Sequence, residues 1–311
     1  MAIVLGPTQY GKAENRVVRI YRDTPRHEIK DVTVSTALRG DFTDAHTVGD
    51  QARIVPTDSQ KHACYAFAKT HGIDQIETYA LALGRHFVAS IEPVDAARIS
   101  VDEHRWQRVE DHDHTWVRAG EETRTTAVTV EVGTAGAGAG GSEAAGIETP
   151  GPRAWVVSGF KDLALLKSTG SQFWGFLEDE YTVLEPTTDR VMATSLQAWW
   201  RYATTDVDYG AVYGNVKALM MRTYAELESL ALQQTLYAMG SAVLEAHPEI
   251  AEVRLSAPNN HHLLYDLDRF GIANAGEVFH ADDRPYGLIQ AAVTRDDAPP
   301  PGPAWDEFPR T

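Results

Sequence analysis

The chain has 311 residues, 43% of them hydrophobic and 23% charged, enough for one large core or two ordinary ones. Lys and Arg number 28 against 44 Asp and Glu, and the formal net charge of −16 argues against nucleic acid and anionic membrane as bulk partners. No apolar run approaches the roughly 18 residues of a spanning helix, the opening MAIVLGPTQYGKAENR is a poor secretory signal, the end FPRT is not a peroxisomal address, and Cys64 is the single cysteine; a cytoplasmic protein without an internal disulfide is expected.

Residues 12–22 and 26–39 alternate polar with β-branched or apolar residues around Asp23, Thr24 and Pro25, which predicts a long hairpin. Residues 58–70 and 74–90 have helical spacing, clearest in Ile76, Tyr79, Leu83 and Phe87, with Gly72 as the break. Residues 97–109 and 115–132 read as two strands joined by the polar turn Glu110-Asp111-His112-Asp113. The same order then recurs. Strands are expected at 154–168 and 189–204, and helices at 209–228 (facing through Val212, Val216, Leu219 and Leu227) and 230–246 (through Leu232, Leu236, Met239 and Val243). Strands at 251–256, 262–267, 276–279 and 287–294 complete the second unit. The expected fold is therefore α+β, two tandem ββααββ units with antiparallel sheets, each backed by two helices. The units span residues 1–135 and 154–294; the Gly/Ala-rich stretch 136–153 is expected to be a flexible loop and the Pro-rich acidic stretch 295–311 a disordered tail. Long hairpins leave edges that must be covered, and closure of a barrel in a symmetric oligomer would cover them.

Phosphate-cradling GxxxxGK[ST], nucleophile-elbow and HExxH motifs do not occur, and no GxGxxG lies in a strand-turn-helix setting. His112-Asp113-His114 has the composition of a metal site but lies in a polar turn, where a solvated loop is the default. Thr57-Asp58-Ser59-Gln60 fits a capping box, and the same helix start offers free N–H groups to an anion; the two readings are compatible. Lys12 is either a solvated surface charge or, beside a hydroxyl, a base. Arg190 is either a surface partner of Asp189 or a planar fork for an anion. Phe173, Trp174 and Phe176 either plug a core or stack on a flat heterocycle. Gln233 and the stretch Asn259-Asn260-His261-His262 have the ordinary structural readings of a helix start and a turn.

YGK at 10–12, PTDSQK at 56–61, LKSTGSQFWGF at 166–176, EYTVLEPTTDR at 180–190, LQQTLY at 232–237 and PNNHH at 258–262, in one collinear order, resemble the urate oxidase family. The resemblance covers residues 3–293 and implies the tunnelling fold, two domains per chain, with four chains closing a barrel and active sites between subunits. It implies that Lys12 and Thr57 relay protons with His261. Thr57 and Asp58 would meet substrate through the helix start, and Phe173 would stack on the purine. Arg190 and Gln233 would hold opposite edges of the ring, Leu232 would offer a main-chain N–H, and Asn259 would hold oxygen or water above it. The implied partners are urate, molecular oxygen and water, with no cofactor and no metal, and the implied products are 5-hydroxyisourate and hydrogen peroxide. Asn260 stands where many relatives have Lys, and Ala231 where some have Ser. A pterin- or guanine-nucleotide enzyme of the same fold and a non-catalytic purine binder are the competing readings. Those of the first kind that use zinc require a ligand set that the spacing of His and Cys does not offer; the second has no use for Lys12, Thr57 and His261.

Overall fold

Alternation in the first segment produces strands β1 (Tyr10–Tyr21) and β2 (Glu28–Gly40), paired antiparallel, in a computed structural model that describes residues 1–133 and 151–306. A short helix α1 (Thr43–Thr47) leads to α2 (Thr57–Thr70) and α3 (Ile76–Ser90). The two long strands expected next are each broken. β3 (Val94–Glu103) is followed by a separate small ribbon, β4 (Trp106–Arg108) with β5 (Trp116–Arg118), before β6 (Thr123–Glu131). The second unit runs β7 (Arg153–Lys167), β8 (Met192–Tyr202), α4 (Tyr209–Glu226), α5 (Leu232–Ala246), β9 (Ile250–Leu264) and β10 (Phe279–Thr294).

The two expected sheets are halves of one. β6 and β7 pair from Thr123↔Lys161 to Glu131↔Arg153, giving an antiparallel eight-stranded sheet of order β1-β2-β3-β6-β7-β8-β9-β10. Its two edges, β1 and β10, stay unpaired in the single chain, so the barrel is not closed. Alternate residues such as Val32, Val34, Ile99, Val101, Val128, Val130, Leu196, Trp200, Val253 and Leu255 join one buried cluster with the helices. The helix stripes meet that face as their spacing dictates: Ile76, Tyr79, Leu83 and Phe87 of α3, and Leu232, Leu236, Met239 and Val243 of α5, are buried. In α4 the buried row is Val212, Val216, Met220 and Tyr224, an i, i+4 ridge that leaves the expected Leu219 and Leu227 half-buried.

Each half opens with the same irregularity. β1 shifts register between Lys12 and Asn15, around Glu14 at φ 56°; β7 shifts between Phe160 and Leu163, around Asp162 at φ 62°. These are β-bulges held by residues in the left-handed region, where a side chain is rarely found. Gly11 and Gly159 precede the two bulges at the same distance. A Cβ on Gly11 would lie 1.7 Å from the Thr36 carbonyl oxygen, and one on Gly159 2.4 Å from that of Ala198, so only glycine permits these approaches.

Two expectations change. PNNHH is not a turn: it lies within β9, where Asn259 pairs with Thr194 of β8 and Gly287 of β10. Nor are residues 295–306 a disordered tail. Residues 299–306 strap the sheet face away from the helices, ending in a 3-10 turn, Gly302–Trp305. Arg98 donates to the carbonyls of Pro303 and Ala304, Arg201 donates to Pro299 O, and Arg39 pairs with Asp306 at 2.6 Å. Trp305 donates to Glu252 at 2.9 Å and lies under the Arg254 guanidinium at 3.9 Å. Composition suggested disorder because the segment has few apolar residues; the strands supply arginines and carboxylates that hold its carbonyls and its indole instead. Residues 307–311, and most of the expected 136–153 loop, lie outside the described residues. Trp305→Ala is expected to lower stability by about 1–3 kcal/mol through loss of the cation–π contact and the indole hydrogen bond. Chemical unfolding measures this, and an unchanged midpoint would show that the strap contributes nothing.

Candidate active site

The first cluster forms where the β1 bulge meets the start of α2. The N–H of Lys12 donates to Thr36 Oγ1 (3.2 Å), and the Thr36 hydroxyl donates to Gln60 Oε1 (2.7 Å). Gln60 is fully buried and its amide donates to Val55 O, so strand and helix start are locked together by a buried polar relay. This overturns the capping box. Pro56 occupies the N-cap with no side-chain bond, Thr57 is the first helical residue, and Gln60 is drawn inward by Thr36 rather than back along the helix. The physical consequence favours the other reading of the motif. The first-turn N–H groups of Thr57, Asp58 and Ser59 have no intrahelical acceptor and sit at the positive end of the dipole, open to an anion.

Lys12 reaches the same turn. Its Nζ lies 3.3 Å from Asp58 Oδ1, which is also 2.9 Å from Lys61 Nζ. The ammoniums of Lys61 and Lys12 hold the Asp58 carboxyl below the usual carboxylate range. Thr57, half-buried, stands next to this pair along the helix. Thr36 and Lys61 escaped the reading of the sequence. Lys61 was visible within PTDSQK, but its side chain gains meaning only once Lys12 is folded against the helix.

The second cluster is tied together by the backbone. Gln172 N donates to Ser229 O, Ser229 N to Gly170 O, and Arg190 N to Ser171 O, while Phe173 and Thr187 exchange two 2.8 Å bonds. Phe173, Arg190 and the start of α5 therefore hang from one knot. Asp189 turns away from Arg190 to accept from Thr169 and from Gly170 N, so the surface ion pair does not form. The Arg190 side chain donates through Nε to Ser171 Oγ at 3.4 Å and forms no ion pair among the described residues; its guanidinium lies 5.0 Å from the Phe173 ring centre, and burial pushes its pKa down from its ordinary value. Even so, an arginine stays charged at any physiological pH. The core-plug reading of the aromatics fails as well. Phe173 and Phe176 stack at 4.9 Å but are half-buried, and Trp174 is exposed.

α5 starts at Leu232, after an extended Ala231 that makes no side-chain cap. Gln234, not Gln233, reaches back, accepting from Leu230 N at 2.9 Å. Gln233 is left exposed, and Leu232 buries its side chain so that only its backbone can serve a ligand. Asn259 and His261 follow on β9, both half-buried, with His261 opposite Asp282 of β10.

One chain brings Phe173, Arg190, Leu232, Gln233, Asn259 and His261 to one end of the sheet and Lys12, Thr57 and Asp58 to the other. β1 and β9 are the first and seventh strands in the sheet order. At ~4.8 Å per strand they are about 29 Å apart along the sheet. Lys12 and Thr57 thus cannot meet His261 within one chain. His112 and His114 are engaged locally, with the His114 ring against His27 at 4.6 Å. Among the described residues no group of three or more His, Cys, Asp or Glu is arranged to hold a metal ion, and no helix is long and apolar enough to cross a membrane.

The family model described as uricase matches residues 8–129 and 156–290. The chain is 47% identical over 306 residues to a uricase of Arthrobacter globiformis, covering 98% of this chain and 95% of that protein. It is 32% identical to a uricase of Aspergillus flavus, covering 92% and 95%. Its structure resembles the crystal structure of the uricase from Arthrobacter globiformis with a TM-score of 0.89 at 46% identity, covering 99% of this chain and 100% of the other. A urate oxidase of Bacillus sp. TB-90 shares the fold, with a TM-score of 0.79 at 20% identity over 93% and 100% of the chains.

Proposed function

Because this chain belongs to the uricase family, we propose that it oxidises urate with molecular oxygen and water to 5-hydroxyisourate and hydrogen peroxide, without a metal or organic cofactor, in purine breakdown. The observation that carries the mechanism is the division of the site over the two ends of an open sheet. Each end is chemically incomplete alone, and a second copy presenting its β1 end to the β9–β10 end of the first completes it. Exposed apolar residues at that second end, including Leu263, Leu264, Tyr265 and Leu288, fit such a contact. The resemblance to the family extends this contact to a homotetramer with its active sites between subunits.

In the composite site the roles follow from chemistry. Urate is flat, acidic and rich in carbonyl and N–H groups. Phe173 stacks on its face; Arg190 and the Gln233 amide bind opposite edges in one plane, and the Leu232 N–H adds a backbone contact. From the neighbouring copy, the N–H groups at Thr57 and Asp58 meet the remaining anionic edge. Lys12, through the Thr57 hydroxyl and with His261, removes the proton that makes urate electron-rich enough to react with oxygen. Asn259 holds oxygen or water above the ring. Two electrons leave urate for oxygen, a hydroxyl from water adds to the ring, and peroxide departs.

Urate consumption with matched peroxide release, by chelator-treated protein, tests the reaction; a folded tetramer without turnover would reject it. Arg190→Ala is expected to weaken binding of a non-oxidisable urate analogue by about 1.5–3 kcal/mol, roughly ten- to hundredfold in Kd, as a charge-assisted hydrogen bond is lost. Calorimetry measures this, and unchanged affinity would take Arg190 out of the site.

A further inference from the structure

Building on the urate-oxidising reading above, we infer that Thr194 is a positioning residue for the reaction: its hydroxyl, unpartnered in the ligand-free chain, donates to the Asn259 amide once urate occupies the site, so that an N–H faces the oxygen or water bound there. β8 and β9 pair with Thr194 directly opposite Asn259. Side chains facing each other across an antiparallel pair have Cβ atoms ~4.5–5.5 Å apart, a separation that one side-chain rotation lets a hydroxyl and an amide span with one hydrogen bond. Thr194 is 2% exposed, and its Oγ1 has no hydrogen-bond partner among the described residues. On the same strand face its neighbours Met192, Leu196 and Ala198 are buried and apolar.

A buried hydroxyl without a partner is destabilising, and valine has the same shape and suits a buried strand better. The hydroxyl therefore costs the fold something at a place where an apolar residue would fit, and the polar side chain directly across from it belongs to the proposed oxygen site. A threonine O–H donating to Asn259 Oδ1 leaves both Nδ2 hydrogens for the ligand. Without it the amide is free to flip and to present its acceptor end, which gives dioxygen no hydrogen bond.

Thr194→Val and Thr194→Ser separate the hydroxyl from the shape. Thr194→Val is expected to lower kcat about tenfold, because a misdirected contact at the reacting centre is lost in the transition state. KM for urate stays within about twofold, because purine binding rests on other residues, and the thermal midpoint is unchanged or higher, because an unsatisfied group has been removed. Thr194→Ser keeps the hydroxyl and holds kcat within about threefold of the parent. A purely structural threonine would give the opposite pattern, lower stability with the parent's kcat, and that result overturns the inference, as does equal loss of kcat in both variants. If Thr194→Val does not fold, Thr194→Ala against Thr194→Ser gives the same comparison. A parent without urate-dependent peroxide release, or an Asn259→Ala variant with the parent's turnover, overturns the reading of the site and this inference with it; an active parent, an impaired Asn259→Ala and a fully active Thr194→Val overturn the role of Thr194 alone.

Discussion

Lys12→Met is expected to lower urate turnover by about 10²–10⁴-fold, the contribution typical of a positioned acid–base group, while a non-oxidisable analogue still binds within a few-fold of the parent. The asymmetry follows from where Lys12 sits. It reaches the α2 start through Asp58 and stands on a different end of the sheet from Phe173, Arg190 and Gln233, which hold the ring. Methionine keeps the length and removes the proton acceptor. Thr57→Ala should show the same split, since its hydroxyl lies between lysine and substrate in the proposed relay. Steady-state kinetics set beside analogue titration decide the matter, and parallel losses of turnover and binding would reduce Lys12 to a binding residue.

The largest expected effect on stability is at the junction of the two halves. Glu77 of α3 is fully buried and is paired with Arg124 of β6 at 2.7 Å, with Ser158 of β7 donating to its other oxygen at 2.6 Å. Arg124 also lies 3.8 Å from Glu103 and 4.6 Å from the ring centre of Tyr213 on α4. Lys217 of the same helix pairs with Glu122. This network joins the first half's sheet to the second half's helix. Arg124→Met is expected to destabilise the protein by about 3–5 kcal/mol, because it leaves a buried carboxylate without its cation. Glu77→Leu combined with Arg124→Met should recover much of that loss, since replacing both charges removes the unpaired one. Urea unfolding of the single and double variants tests this; a double variant as unstable as the single would mean that packing, not charge, is at stake.

Much of the fold was legible because the information is local. The α3 and α5 stripes are buried as their spacing requires, since a helix that buries one face shows it every third or fourth residue. In α4 the propensity was right and the facing row partly wrong, because the sheet beneath selects which ridge packs. The bulges at Glu14 and Asp162 left no sign that a propensity reading detects. Acidic residues in strands are ordinary, and only the partner strand shows which one stands outside the ladder. The loop that carries Phe173 and Arg190 was recognisable from its motifs, but the choice between core plug and platform needed its hydrogen-bonded knot with Ser229.

By itself the sequence determined the opening hairpin, the four long helices, the faces of α3 and α5 and, through its motifs, the family and the residues proposed for the site; the four short strands expected after α5 are two long ones, β9 and β10. Those features rest on contacts between residues close along the chain, or on residue types that keep their chemistry wherever they are placed. Only the tertiary structure decided that PNNHH is strand, that α2 begins at Thr57 without a capping box, that the Pro-rich end straps the sheet, and that the two parts of the site stand at opposite ends of it. Each depends on a partner far away in sequence, such as Thr194 for Asn259, Thr36 for Gln60 or Arg98 for Ala304. A polar residue meets such a partner only when the sheet brings distant strands side by side, and no local period records that meeting.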